Sequence, residues 1–298
     1  MMNANTHDNL SLLVLGASGM VGTAVEAVCS QRGIPCVCPA HRVLDIISAS
    51  QLTAALDGYR PTAVVNCVAI PSIEPCERDP GAAMDLHCVA VRRLAQECER
   101  RGIILVQPSS HAVFDGTKDG PYTEDDPVKA TGVYGATKVL SERLAAACCS
   151  RHYIPRFPTL YGPRRNSSMG FVDKVIGWLT EGRQLRIADD RMDTPTYSMD
   201  AAAAVVAMIV EKAPWGVFHV ANAGWISYYD FVVKLKTLLR LENEIVRCKE
   251  REFASACYKP LRTGLTSVKR PPLRSLDAAL REYVEARVAG TFSRTGVI

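Results

Sequence analysis

Tyr134 and Lys138 stand four residues apart in Val133-Tyr134-Gly135-Ala136-Thr137-Lys138. Residues i and i+4 share a helix face, so on a helix the phenol and the ammonium reach one site. That is the geometry of an activated tyrosine. A phenol titrates near pH ~10 unaided, and lowering it by about three units takes roughly 4 kcal/mol of preferential stabilisation of the phenolate, which a fixed cation helps to supply. The spacing is common, and a surface helix with a solvated lysine carries it equally well. Its weight comes from what surrounds it.

Two stretches upstream add chemistry. Pro108-Ser109-Ser110-His111-Ala112-Val113-Phe114-Asp115-Gly116 follows an apolar run, Ile103 to Gln107, that reads as a parallel strand. Ser110 then lies at the carboxyl edge of a sheet, although one serine there is often only a turn former. Near the start, Gly16-Ala17-Ser18-Gly19-Met20-Val21-Gly22 separates the buried-strand pattern Leu10 to Leu15 from a helical face marked by Val21, Val25 and Val28. Gly16 permits the bend, Gly19 lets the backbone approach a pyrophosphate, and Gly22 lets helix and strand pack closely; the helix N-terminus offers free amides to the phosphates. A dinucleotide is therefore expected.

The next strand, Ile34 to Cys38, runs into Pro39-Ala40-His41-Arg42 with no carboxylate for the ribose hydroxyls of NAD. Arg42 is placed to meet a 2′-phosphate, so NADP(H) is preferred and NAD(H) admitted. A solvated surface arginine is the other reading of Arg42.

Positioning these groups requires alternating strands and helices, and the chain has them. A helix is predicted at Ala49 to Leu56, a strand at Ala63 to Ile70, a long helix at Gly81 to Arg101, a helix from Tyr134 to about Cys149 and a strand at Tyr153 to Phe157. The expected fold is α/β, a doubly wound parallel (Rossmann) sheet with ligands at the carboxyl ends of the strands, and a smaller C-terminal substrate-binding lobe. Residues 10–158 and about 198–222 would form the sheet domain. Residues 159–197 and 223–298 would form the lobe, with helices at Phe171 to Glu181, Tyr228 to Leu239 and Leu276 to Val284; the last ten or so residues are expected to be loosely held.

Composition narrows the class. The chain has 298 residues, 48% hydrophobic and 22% charged, enough for a sizeable core, and a net charge of +4 from 35 basic and 31 acidic residues. No dominant basic face results, so nucleic acid is not the expected partner. The longest apolar run, Ala201 to Val210, is half a membrane span, and the first nine residues are polar. Eleven scattered cysteines without zinc spacing fit a reducing cytoplasm and imply no metal. A homodimer is admitted.

With Ser110, Tyr134 (134 − 110 = 24 residues on) and Lys138 in order, the chain resembles the extended short-chain dehydrogenases/reductases. Within them it is most similar to the dTDP-4-dehydrorhamnose reductase family, whose members reduce the 4-keto group of a nucleotide-linked 6-deoxysugar. The resemblance spans nearly the whole chain. It rests on the glycine turn, Leu44-Asp45, Val65-Asn66-Cys67, Val113-Phe114-Asp115-Gly116, Tyr134 to Lys138 with Glu142, Thr194-Pro195-Thr196-Tyr197, Ser227-Tyr228-Tyr229-Asp230-Phe231 and Arg270-Pro271-Pro272-Leu273. It implies that Ser110 hydrogen-bonds the keto oxygen, Tyr134 donates the proton, and Lys138 lowers the tyrosine pKa and holds the nicotinamide ribose. Asp45 would meet the adenine, Val68, Ala69 and Ile70 would line the cofactor, and Ser18, Met20 and Val21 would sit at the pyrophosphate. His111, Ala112, Arg164, Arg165 and Phe171 are the expected substrate contacts beside Ser110 and Tyr134.

The chain departs from that family at three places. Ser110-His111-Ala112 stands where the family usually has Thr-Asp-Tyr, His87 where it has an Asn that helps position the lysine, and Gly170-Phe171 where it has Asn-Phe. His111 and Ala112 also replace the Asp-Glu pair of related dehydratases, which disfavours dehydration. Two rivals stand beside the reductase: a non-catalytic NADP-binding subunit resembling the methionine adenosyltransferase beta subunit, and a sugar-nucleotide epimerase that retains its NAD.

Overall fold

The computed structural model describes residues 10–255 and 257–290, with the backbone of Phe292–Ser293 and Gly296–Val297 beyond them. The expectation for the first nine residues falls outside the described ones, as do the side chains past residue 290. The chain starts with β1 (Leu12–Leu15), whose four residues are all buried. It turns through the glycines into α1 (Met20–Gln31), then β2 (Cys36–Val37), α2 (Ala49–Tyr59) and β3 (Ala63–Asn66). Next come α3 (Ile73–Arg78), α4 (Pro80–Met84), a single π-helical turn over Asp85–Val89, α5 (Ala90–Arg101), β4 (Ile104–Val106), β5 (Ser109–Ser110) and a 3-10 turn at His111–Val113. A long loop leads to α6 (Val133–Cys148) and β6 (His152–Phe157).

Two expectations are corrected here. The predicted strand Ala63 to Ile70 stops at Asn66, because the Asn66 side chain accepts the Val68 N–H at 3.3 Å and takes the backbone out of the ladder. The predicted single helix Gly81 to Arg101 is α4, the π turn and α5 in sequence, and the wider turn carries His87 inward to 2% exposure.

β1, β2, β3, β4 and β6 pair in parallel in the order β2-β1-β3-β4-β6, with β5 continuing beside β6 past the end of β4. After β1 the chain winds one way to β2 and then returns to the other side for β3. The strand order reverses there, and such a reversal opens a crevice at the strand ends.

The second part continues with β7 (Leu160–Tyr161), α7 (Phe171–Thr180), β8 (Leu185–Ala188), β9 (Met192–Asp193), β10 (Thr196–Tyr197), α8 (Ser198–Val210) and β11 (Gly216–His219). β12 (Asn222–Ala223), β13 (Ile226–Ser227), α9 (Tyr228–Leu238), β14 (Ile245–Cys248), β15 (Leu273–Ser275) and α10 (Leu276–Val288) complete it. α8 and β11 return to the main body: β11 pairs with β6, and Ala201, Ala202, Val205, Val206 and Ile209 join Val25 and Val28 of α1 in one core. The opposite sheet face is covered by Leu52, Leu56, Val91, Leu94 and Ala145 from α2, α5 and α6. A third core, with Tyr161, Val175, Leu179, Phe231, Leu235, Leu280 and Tyr283, belongs to α7, α9 and α10. The sheet is thus wrapped on both faces, as a parallel sheet requires. No helix among the described residues is long and apolar enough to cross a membrane.

Candidate active site

The three glycines of the first turn have separate duties. Gly16 has φ +72°, and a Cβ there would lie 2.9 Å from the backbone of Cys67 and Val68 where β3 ends. At Gly22 a Cβ would come within 2.6 Å of Ala17 Cα and the Gly16 carbonyl oxygen, so that glycine sets the approach of α1 to its own turn. Gly19 is different: its nearest neighbour would be the Gly16 carbonyl oxygen at 3.4 Å, an ordinary contact, and its φ is −73°. Nothing within the chain demands glycine there. α1 begins with no side-chain cap and no acidic residue in its first turn, leaving its amides and positive end for an anion. A pyrophosphate fits this cradle. Ser18 is exposed, and Met20 and Val21 are half-buried beside it.

Around this turn, Val68, Ala69 and Ile70 are half-buried past the end of β3. Asp45 accepts the Ile47 N–H at 3.0 Å, closing the turn before α2. Arg42 is exposed after β2 and forms no ion pair among the described residues, so its guanidinium is available to a phosphate.

α6 brings Tyr134 to the strand ends. Its register is held by a buried two-pronged pair, with Arg156 of β6 donating to Glu142 at 2.8 and 2.7 Å. Gly135 sets the depth of the approach, since a Cβ there would meet the Ala112 carbonyl oxygen at 2.3 Å. The Ser110 hydroxyl oxygen accepts the Ala112 N–H at 3.2 Å and lies beside the Tyr134 phenol. Ala112 is buried at the inner side of that turn, as packing under α6.

The expected electrostatics are corrected. Burial is the largest influence on Tyr134 and raises its pKa, with the Ser110 hydroxyl pulling the other way. Lys138 is itself only 4% exposed, and its ammonium donates to the Pro108 carbonyl at 2.5 Å. Burial brings its pKa down to about 8, with Glu142 opposing. The i, i+4 pair shares a helix face, but the ammonium donates to the backbone preceding Ser109 and is not among the influences on the phenol.

His87 is joined to the same helix. Its Nε2 accepts the Ile70 N–H at 2.9 Å, so Nδ1 carries the proton and donates to the Thr137 hydroxyl at 2.9 Å; that hydroxyl donates in turn to the Tyr134 carbonyl at 2.9 Å. Burial, with Lys138 adding to it, lowers the His87 pKa to about 4. The imidazole is a neutral strut between the loop after β3 and the first turn of α6.

On the other side of Ser110, the His111 Nδ1 lies 3.2 Å from Asp193 Oδ1. Asp193 is 0% exposed and also accepts the Thr194 N–H at 2.8 Å and the Thr159 N–H at 3.2 Å. Burial alone would raise its pKa, but the His111 ring and these donors hold it at about 2. Arg191 stacks on the Tyr228 ring at 4.4 Å, Tyr228 meets the Thr159 hydroxyl at 2.7 Å, and Phe171 packs on Tyr228 with ring centroids 4.8 Å apart. Phe171 is thereby joined, through Tyr228 and Thr159, to the Asp193 cluster.

The two arginines of the turn after β7 are separated by the structure. Arg164 pairs with Asp173 at 3.0 Å at the start of α7. Arg165 lies on the glycine turn: its guanidinium donates to the Ala17 carbonyl at 2.9 Å and pairs with Glu26, and the Ser18 carbonyl accepts the backbone N–H groups of Arg165 and Asn166, each at 3.0 Å. Its surroundings are the phosphate cradle and not the Ser110 cluster, because the turn after β7 folds back over α1. Sequence reading missed Asp193 and Arg191. The available signal was a carboxylate immediately before the Thr194-Pro195 step; its partner is 82 residues distant, beyond any local pattern.

The family model described as RmlD substrate binding domain matches residues 10–286. The dTDP-4-dehydrorhamnose reductase of Streptomyces griseus is 33% identical over 285 residues, covering 92% of this chain and 93% of its own length. The dTDP-4-keto-6-deoxy-D-glucose reductase of Streptomyces niveus is 33% identical over 236 residues, covering 79% and 81%. Among solved structures, a dTDP-4-dehydrorhamnose reductase from Clostridium acetobutylicum superposes with a TM-score of 0.88 at 26% identity, covering 94% of this chain and all of its own. The chain belongs to the RmlD, or dTDP-4-dehydrorhamnose reductase, family of Rossmann-fold proteins.

Proposed function

We propose that the chain is an NADPH-dependent oxidoreductase that reduces the 4-keto group of a nucleotide-activated 6-deoxysugar, with Tyr134 as proton donor. The names of its relatives in Streptomyces support the reaction class. The observation that carries the reading is the state of Ser110. Its oxygen accepts the Ala112 N–H and its hydroxyl lies against the Tyr134 phenol, so the two hydroxyls can donate together to one carbonyl oxygen.

The glycine cradle would hold the dinucleotide's pyrophosphate, and Arg42, with no carboxylate at the end of β2, favours the 2′-phosphate of NADP(H); NAD(H) is admitted. When bound, the nicotinamide supplies the hydride to C4. Tyr134, kept protonated by burial, holds its proton until the keto oxygen gains charge, and then releases it to that oxygen. Ser110 fixes the direction of the oxygen. Lys138 has two ammonium protons left after its bond to Pro108 for the nicotinamide ribose. All eleven cysteines are unpaired, which supports a cytoplasmic home.

The test is purified protein with NADPH and a panel of dTDP, GDP, UDP and CDP 4-keto-6-deoxysugars, followed by loss of the reduced nicotinamide absorbance. Tyr134→Phe should lower turnover by about a hundredfold or more while leaving NADPH affinity within about twofold. Undiminished turnover in that variant overturns the assignment.

A further inference from the structure

Two histidines belong to this region, His87 with its ring centroid 6.0 Å from that of Tyr134 and His111 next to Ser110 in the chain, and the structure leaves them in opposite states. Both ring nitrogens of His87 are consumed within the protein. His111 has only Nδ1 engaged, by a carboxylate without solvent exposure, and its Nε2 has no partner among the described residues. Nor is that nitrogen among the buried polar atoms lacking a partner, so it is open to solvent. An ionised carboxylate can only accept, which places the His111 proton on Nδ1 and the lone pair on Nε2. Asp193, which orients the ring, is itself fixed by two backbone N–H groups. The other charged or titratable groups facing this pair are Arg191 and the Tyr228 on which it stacks, both interacting with Asp193.

We propose that His111, positioned by Asp193, is a general base for a hydrogen on a carbon flanking the substrate's keto group, so that the site enolises a nucleotide-linked keto sugar as well as reducing it. The proposal rests on the ketoreductase reading for its substrate class. His111 is the residue after Ser110, and its ring turns toward Asp193 of β9. In the step, the C–H bond beside the carbonyl breaks and its hydrogen passes to Nε2 as a proton. The bonding pair becomes a C=C bond, and the carbonyl π pair moves onto oxygen. Ser110 and Tyr134 receive that oxygen as they do in reduction. Return of the proton from the imidazolium restores the ketone, so no oxidant or reductant is consumed. Because Nε2 is open to solvent, the proton exchanges before it returns, and in D2O the carbon comes back labelled.

A histidine that only held the turn together would need the Nδ1 donor and nothing more. His111→Asn keeps an N–H donor toward Asp193 and removes the base, which separates the two roles. The experiment incubates the full chain with dTDP-4-keto-6-deoxyglucose in D2O without NADPH and follows deuterium at the carbons beside the ketone by proton NMR, with NADPH-dependent reduction of the same compound measured in parallel. Exchange well above the buffer rate is expected, falling by about a hundredfold in His111→Asn and in Asp193→Asn. Asp193→Asn is checked for folding by circular dichroism; if it does not fold, His111→Asn alone decides. Equal exchange in wild type and His111→Asn, or reduction without exchange, overturns the base while leaving the reductase reading intact. Exchange without reduction supports the base and overturns the reductase reading, and absence of both overturns both.

Discussion

Lys138 shows how a residue useful in chemistry is a burden to the fold. Its pKa lies near 8 in the folded chain against an ordinary 10.5 because burial disfavours the ammonium. Between those values the unfolded chain binds the extra proton, so stability rises with pH across that window, and the full cost of about 3 kcal/mol stands below pH ~8. Lys138→Met should therefore raise the Tm at pH 7, by about 1–3 kcal/mol in stability once the lost Pro108 bond is counted, while abolishing turnover. Thermal melts at pH 7 and pH 10 check this: the gain should shrink toward the higher pH, and a lower Tm at pH 7 would refute the account. The Tyr134 and Lys138 pairing was legible in the sequence because helix periodicity alone brings i and i+4 together. The direction of the ammonium was not, because it depends on the Pro108 carbonyl thirty residues upstream. The pairing of His111 with Asp193 was hidden for the same reason.

At the scale of elements, strands and helices with strong periodicity appear where the pattern puts them, including β1, α1, α6 and α8. What the pattern did not reveal are features decided by a single side chain or a distant partner. The Asn66 side chain stops β3 early, the π turn at His87 interrupts a continuous helical pattern, and β5 exists because Ser109 and Ser110 find Arg156 and Phe157 of β6. The glycine turn gives a clean contrast between two substitutions. Gly22→Ala drives a methyl into the backbone of Ala17 and Gly16 and should cost about 1–3 kcal/mol of stability. Gly19→Ala meets only an ordinary contact, so its melting temperature should stay near wild type while NADPH affinity falls by about tenfold or more. Calorimetric titration of both variants decides it; unchanged affinity in Gly19→Ala would remove the pyrophosphate from this cradle.

Across the whole molecule, the chain leaves the sheet after β6, builds part of the third core, returns for α8 and β11, and leaves again. Loops tie the parts further: Glu124 accepts the His219 N–H of β11 at 2.7 Å and the Val268 N–H at 2.9 Å, and Tyr122 exchanges backbone bonds of 2.8 Å with Gly264 and Thr266. This interleaving explains why the sequence blurs past Pro158: these segments are short and take their conformation from partners far along the chain. The turn after β7 carries a particular consequence. Ser18 belongs to the glycine turn proposed to hold the pyrophosphate, and its carbonyl accepts the backbone N–H groups of Arg165 and Asn166 from the turn after β7. With the pyrophosphate on this turn, as proposed, cofactor and the segment after β7 are joined through one carbonyl, and filling the turn is expected to change the affinity for a nucleotide sugar held by that segment. Titration of dTDP into protein with and without saturating NADP should show affinities differing by about fivefold or more, and NADP titrated against dTDP must then show the same factor, since such coupling is reciprocal. Equal affinities would mean that the two ligands ignore each other across Ser18.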